Sequence, residues 1–105
     1  MTTFEDRENA FEAKFAHDEE MQFKAEARRN KLTGLWAAQM LGMTGDEAES
    51  YAKTVVLADF EEAGHEDVVR KVAADLGSKS TPEEIRAKME ELMQEAKSQL
   101  MQEIK

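Results

Sequence analysis

The sequence predicts an all-α protein: a four-helix bundle-like domain preceded by an extended or flexible N-terminal helical segment. Helix-forming residues dominate the 105-residue chain, and its single proline is Pro82. Apolar residues recur at the three- and four-residue spacing of helices, and no stretch alternates as a strand does. The chain is predicted to consist of an N-terminal segment, 1–18, and a domain, 19–105, which capping patterns and glycines divide into helices. The predicted helices of this domain cover about 19–42, 46–63, 65–76 and 82–104.

Two apolar stripes at helical spacing occupy the first 43 residues. The first consists of Phe4, Phe11 and Phe15, which fall within roughly 40° of one another at 100° per residue. The second consists of Leu32, Trp36, Met40 and Met43. Polar residues occupy the same face between the stripes, so we interpret the stretch as two helical halves with different roles.

Length separates these two roles. A continuous helix over residues 4–42 would run ~58 Å at 1.5 Å per residue, whereas helix 82–104 would run only ~35 Å. Since the short helices cannot cover the whole first helix, the second stripe is predicted to dock onto the domain. Residues 1–18 are predicted to be a flexible or nascent helix whose phenylalanines bind a partner, with Arg7 and Lys14 as polar contacts.

Glycines and a capping pattern delimit the second and third helices. Thr44 and Glu47, three residues apart, have the spacing of a capping box and predict a helix start at about residue 46. Gly64 interrupts this helix, and Gly77 ends the next one. The third helix is predicted to bury Val68, Val69, Val72 and Leu76.

The fourth helix has a clear start and one apolar seam. Thr81 is predicted as its N-cap, Pro82 as its first residue, and Glu84 as the partner that completes a capping box. The seam consists of Ile85, Met89, Leu92, Ala96, Leu100 and Ile104. Such a seam is typical of a helix in a bundle, and we expect Trp36 at the bundle centre, near Phe60 and Leu92.

Bulk properties exclude several classes of protein. A formal charge of −9 and a pI near 4.7 argue against binding to nucleic acid or to anionic membranes. The chain has no cysteine, and hence no disulfide framework or thiol chemistry. No apolar run approaches the ~18–20 residues of a transmembrane helix, and the N-terminus lacks the basic-then-apolar order of a signal peptide. We expect a soluble, cytoplasmic protein.

The N-terminal third also resembles a known family. The run FEDRENAFEAKFAHDEE, followed by FKAEARRNKLTGLWAA, resembles the signature of the zeta inhibitor subunit of the α-proteobacterial F-type ATP synthase. The resemblance is specific over residues 4–42 and generic beyond about residue 46, and Thr33 stands where an aliphatic residue is expected. It implies a four-helix regulatory protein, peripheral to the membrane-bound synthase. Its N-terminal segment would enter the catalytic head and block ATP hydrolysis. The implied partner-binding residues are Phe4, Arg7, Phe11, Lys14 and Phe15.

A basic cluster, Arg28, Arg29 and Lys31, leaves alternatives open. It could meet an acidic patch on a protein partner, or pair internally with the acidic faces of other helices. With Trp36 nearby, it could instead form a small anionic or nucleotide site. The alternative function is therefore a helical bundle with weak nucleotide binding, and a structural adaptor is a third.

Catalytic and metal motifs are not found in the sequence. There is no Ser-His-Asp arrangement and no Gly-rich phosphate loop, so we expect no enzyme activity and no cofactor. Glu62 and His65 match half of a di-iron motif, but the second half is missing, so no metal site is predicted. His17 could make binding sensitive to pH, or it could be an exposed histidine on a solvated face.

Overall fold

The computed structural model describes residues 18–59 and 65–103, and these ranges form an all-α domain. Its helices are α1 (Glu19–Met40), α2 (Gly45–Ala58), α3 (Glu66–Leu76) and α4 (Pro82–Glu103), with a 3₁₀ turn at Gly77–Lys79. No strand occurs within the described ranges, which confirms the predicted fold class. Several residues named above lie outside them: Phe4, Arg7, Phe11, Lys14, Phe15, His17, Phe60, Glu62, Gly64 and Ile104.

Helix α1 has a defined cap at each end. The carboxylate of Asp18 accepts hydrogen bonds from the backbone N–H groups two and three residues later, at 3.1 and 3.2 Å. At the other end, Gly42 has a φ of 82°, and the N–H of Met43 donates to the carbonyl of Ala38 at 2.9 Å. This six-to-one bond is characteristic of a Schellman motif, which ends the helix close to the predicted boundary.

Helix α2 begins within one residue of the predicted start, but its capping and its end differ from the prediction. Thr44 is its N-cap, but the Thr44 side chain makes no capping hydrogen bond, so the predicted capping box is wrong. The reason is the φ of 55° at Gly45, which turns the chain into the helix along a path that a capping box does not use. The helix ends at Ala58 rather than near residue 63, and the N–H of Asp59 donates to the carbonyl of Val56 at 3.2 Å in a tightened last turn.

Helix α4 begins as predicted, with a reciprocal capping box. The hydroxyl of Thr81 accepts from the backbone N–H of Glu84 at 3.2 Å, and the Glu84 carboxylate accepts from the N–H of Thr81 at 3.1 Å. Pro82 is the first helical residue. Two otherwise unpaired backbone donors are thereby satisfied, which fixes the start of this helix.

The main core lies between the second half of α1 and the other three helices. It consists of Ala37, Val55, Val68, Val69, Val72, Leu76, Ile85 and Met89. The inward residues predicted for α3 are therefore confirmed. Trp36, expected at the centre, is only partly buried at the edge of this core, and Leu92 is partly exposed. An indole does not fit at the centre because α1 and α2 approach each other through small side chains.

That close approach is made by an unexpected face of α1. The predicted stripe of Leu32, Trp36, Met40 and Met43 is only partly buried. The buried residues of α1 are Met21, Ala25, Arg29, Asn30, Thr33, Gly34, Ala37 and Ala38. A methyl group added at Gly34 would lie 2.7 Å from the Cα of Ala52 on α2, so the two backbones are nearly in contact. Thr33 fits here because its hydroxyl donates to the carbonyl of Arg29 at 2.8 Å.

Helices α1 and α4 are antiparallel. Met21 and Ala25, near the start of α1, form a second core cluster with Leu100, near the end of α4. Trp36, further along α1, lies with its ring centroid 5.9 Å from the ammonium of Lys88, which is earlier in α4. The start of α1 is thus held beside the end of α4. Within residues 18–59 and 65–103, no helix is long and apolar enough to span a membrane.

Candidate functional site

The basic cluster predicted from the sequence is divided among different neighbours. The guanidinium of Arg28 makes two hydrogen bonds to the carboxylate of Glu103, at 2.8 and 3.0 Å, and one to the side-chain oxygen of Gln99, at 2.8 Å. The hydrogen bonds from Arg28 to Glu103 lower the pKa of the Glu103 carboxyl. Arg28 therefore connects the first half of α1 to the last turn of α4.

Arg29 lies in the interior. Only 8% of its surface is exposed, and its Nε donates to the side-chain oxygen of Asn30 at 3.1 Å. Burial lowers the pKa of the Arg29 guanidinium, while the carboxylates of Asp59 and Glu26 act in the opposite direction. A guanidinium placed in this way faces the partly buried carboxylates of Asp59 and Glu26 and is not accessible to an external anion.

A buried polar cluster surrounds Arg29 where α1, α2 and α3 meet. Burial raises the pKa of the Asp59 carboxyl, and the neighbouring Asp67 raises it further, against the lowering effects of Arg29 and Asn30. Asn30 acts on the Asp59 pKa through a side-chain contact, but within the described residues neither Nδ2 of Asn30 nor Oδ1 of Asp59, both buried, reaches good hydrogen-bond geometry. Such atoms carry a desolvation cost, so this cluster is a weak point of the interior.

The remaining members of the predicted ligand site point elsewhere. The ammonium of Lys31 lies 3.7 Å from the carboxylate of Glu49 on α2, with both side chains about half exposed. Trp36 is eight positions from Arg28, ~12 Å along the helix axis, and its ring faces Lys88. Internal pairing thus describes the observed contacts of the three cations. The structure does not bring Arg28, Arg29 and Trp36 together, and nucleotide binding stays a prediction.

A different set of cations does share a face. Lys24, Arg28 and Lys31 are spaced four and three residues apart, which places them on one side of α1. With the apolar side chains of Phe23 and Val56 they line a surface depression of about 620 Å³ between α1, α2 and the end of α4. An adjoining depression of about 320 Å³ shares Lys31 and Val56 and adds a further apolar residue, Leu57. We call this surface the basic groove; its charged lining consists of four cations, Lys24, Arg28, Lys31 and Lys53, and two carboxylates, Glu49 and Glu103, and its apolar lining includes Phe23, Val56 and Leu57.

The sequence analysis missed Phe23 and Lys24 because it grouped cations by adjacency. Arg28 and Arg29 are neighbours in sequence, but the 100° turn between them directs one to α4 and the other to the interior. Helical spacing would have grouped Arg28 with Lys24 and Lys31. That signal was present in the sequence.

The predicted partner-binding residues, all between Phe4 and Phe15, precede the described structure. Asp18 caps α1, so this segment joins the domain at the end of α1 that lies beside the basic groove. His65 is the N-cap of α3, with its Nε2 3.7 Å from a Glu66 carboxylate oxygen. No group of three or more potential metal ligands occurs in the described part of the chain.

Comparison with known proteins identifies the family. A family model described as ATPase inhibitor subunit zeta matches residues 1–99. A protein whose structure was solved by solution NMR is 67% identical and superposes with a TM-score of 0.74, covering 79% of this chain and 98% of that one. No curated protein matches. Since the family model matches almost the whole chain, the protein belongs to the ATPase inhibitor subunit zeta family.

Proposed function

We propose that this protein inhibits ATP hydrolysis by the F-type ATP synthase, with the N-terminal segment entering the catalytic head and the four-helix domain serving as its anchor. The sequence predicts this segment as residues 1–18; because Asp18 caps α1, we take it here as residues 1–17. The observation that carries the proposal is the family match, which includes the N-terminal segment as well as the domain. In this proposal the protein is a regulator with no catalytic chemistry of its own. It acts at the membrane-bound synthase as a peripheral subunit.

The inhibitory segment supplies an apolar face for such an interface. As a helix, residues 4–15 align Phe4, Phe11 and Phe15, and each phenylalanine buried between subunits contributes about 1.5–3 kcal/mol. Arg7 and Lys14 would remain at the rim, where they contact polar groups of the head. No covalent step is needed, because a wedge that resists one conformational change stops rotation in the hydrolysis direction.

An inhibitory segment that inserts into the head also needs a folded domain that stays outside the head. The start of α1, where the segment joins, is held to α4 by the cluster of Met21, Ala25 and Leu100. Arg28 adds a charged bridge to Glu103, with its two hydrogen bonds at 2.8 and 3.0 Å. These contacts make the first half of α1 part of the folded domain. They support the proposal that the domain remains outside the head and anchors the inserted segment.

The test is ATP hydrolysis by a purified α-proteobacterial ATP synthase head, with the protein added intact or without residues 1–17. This truncation keeps Asp18, whose carboxylate caps α1, so the domain should retain its circular dichroism spectrum. We expect inhibition by the intact protein alone. Equal inhibition by both forms would show that the segment is not the effector, and no inhibition by either would end the proposal.

A matched pair of variants sharpens this test. Serine at Phe4, Phe11 and Phe15 together should abolish inhibition, because the apolar face is lost. Serine at Ala10 and Ala13, which would lie away from the phenylalanines if the segment is helical, should leave inhibition nearly unchanged. Equal losses in the two variants would contradict the assignment of the phenylalanines as anchors.

A further inference from the structure

We propose that the basic groove is a second docking surface of this inhibitor, and that it binds an acidic, amphipathic helical segment of the ATP synthase head. The inference rests on the proposed function and adds the site by which the domain itself contacts the enzyme. It is carried by three features of the groove: exposed apolar surface, a cationic rim in an acidic protein, and its position next to the inhibitory segment.

The apolar part of the groove is exposed to solvent. Phe23 is 56% exposed and Leu57 is 64% exposed, and these are the exposed large hydrophobic residues of the described ranges. Val56 lies between the two depressions, which together form a trough along α1 and α2. A trough with apolar side chains along its length accepts the apolar face of a helix, as in helix-in-groove recognition.

The groove is lined by four cations and two carboxylates, an excess of two positive charges, although the whole chain carries a formal charge of −9. Lys24 and Lys31 are about half exposed, and their nearest carboxylates are Glu20 at 3.4 Å and Glu49 at 3.7 Å. Exposed pairs of this kind contribute about 0–1 kcal/mol, so a partner's carboxylates can replace them at little cost. The acidic surface of the protein outside the groove repels an acidic partner, whereas the cations of the groove attract it.

The groove lies close to the segment that is proposed to insert. Phe23 follows the cap residue Asp18 by five positions, which is ~8 Å of helix. A head that holds residues 1–17 therefore has its outer surface within reach of the groove. A second contact made from the same chain raises the effective concentration of the first and slows release of the inhibitor.

The experiment compares two charge-matched double variants of the full chain. Lys24→Gln with Lys31→Gln neutralises the rim of the groove, and Lys79→Gln with Lys88→Gln makes the same change in net charge elsewhere. The measurements are the concentration for half-maximal inhibition of ATP hydrolysis, the rate of release, and their dependence on salt. We expect the groove variant to need about fivefold more protein and to show a shallower salt dependence, while the control stays within about twofold of wild type.

A third variant tests the apolar part of the groove. Phe23→Ser with Leu57→Ser changes two exposed side chains, so the fold should persist, as circular dichroism would show. We expect a severalfold faster release of the inhibited complex that persists at high salt, because an apolar contact is not screened. Release at the wild-type rate would overturn the inference.

The remaining outcomes separate this inference from the proposed function. Equal potency of the groove and control variants, with an active wild type, would overturn the inference and leave the proposed function intact. Higher potency of the groove variant would overturn it in favour of residues 1–17 as the occupant of the groove in the free protein. Self-association that the groove variant loses without any change in inhibition would assign the surface to a second copy. An inactive wild type would remove the proposed function, and the inference with it.

Discussion

The substitution Gly34→Ala tests the contact between α1 and α2. A Cβ at this position would lie 2.7 Å from the Cα of Ala52, 3.1 Å from its Cβ and 3.2 Å from the Cβ of Val55. Ala52 and Val55 are both completely buried. A backbone Cα cannot rotate out of the way as a flexible side chain can, so the two helices would have to separate.

Two effects of opposite sign determine the magnitude. Alanine in place of glycine within a helix stabilises by ~1 kcal/mol through backbone propensity alone. Carbon atoms in contact prefer about 3.5–4.0 Å, so α1 would have to move by ~1 Å relative to α2. Overpacking of this kind costs ~1–3 kcal/mol, and moving α1 also disturbs the core around Val55. Because the clashing atom belongs to the backbone, we expect a cost in the upper part of this range, about 2–3 kcal/mol, and therefore a net loss of about 1–2 kcal/mol in the free energy of unfolding.

The assay is urea unfolding followed by far-ultraviolet circular dichroism and by the fluorescence of Trp36. Gln39→Ala, an exposed substitution on the same helix, is the control and should change the free energy of unfolding by less than about 0.5 kcal/mol. The melting temperature of Gly34→Ala should fall by about 4–8 °C for each kcal/mol lost. If Gly34→Ala is as stable as wild type, or more stable, helix propensity alone determines its stability, and the close approach of α1 and α2 is refuted.

Two further predictions concern the helix caps and the buried carboxylate. Thr81→Ala should lower the free energy of unfolding by about 1 kcal/mol, because its hydroxyl accepts from a backbone N–H, whereas Thr44→Ala should cost only a few tenths since that side chain makes no capping bond. Urea unfolding of the two variants measures this, and equal losses would contradict it. Burial and the neighbouring Asp67 raise the pKa of the Asp59 carboxyl in the folded protein above its value in the unfolded chain. At a pH between these two pKa values, the native state holds a proton that the unfolded state has lost. The contribution of Asp59 to the free energy of unfolding therefore falls as pH rises through this interval. The free energy of unfolding of Asp59→Asn, relative to wild type, should therefore increase over that interval, and a difference that decreases with pH would contradict the assignment.

The parts of the fold that follow from short-range chemistry were predictable from the sequence. The capping box of Thr81 and Glu84 joins residues three apart, so its two hydrogen bonds depend on little beyond the local chain. The buried residues of α3 follow from helical spacing in the same way. Thr44 shows the limit of such patterns, because a single glycine with a positive φ changed the path of the chain and removed the expected bonds.

The docked face of α1 was not predictable from apolar spacing. Hydrophobicity favoured Leu32, Trp36 and Met40, but the buried face is made largely of small residues around Gly34. Small residues carry less apolar surface than Leu32, Trp36 or Met40, yet they permit the closest approach of two helix backbones. Which of the two faces docks is determined by the shape of the facing helix, here the surface around Ala52.

By itself the sequence determined the all-α class, the starts of the helices and the approximate ends of α1 and α3, the charge of the protein and the membership of the inhibitor family that the match over residues 1–99 shows. Only the tertiary structure decided where each cation of α1 points. Successive residues of a helix differ by 100°, so their partners depend on which helices lie on each side. Arg28 contacts the end of α4, Arg29 lies in the interior, and Lys31 lines a groove between α1 and α2. Such a groove exists only after packing, because its walls are distant in the chain.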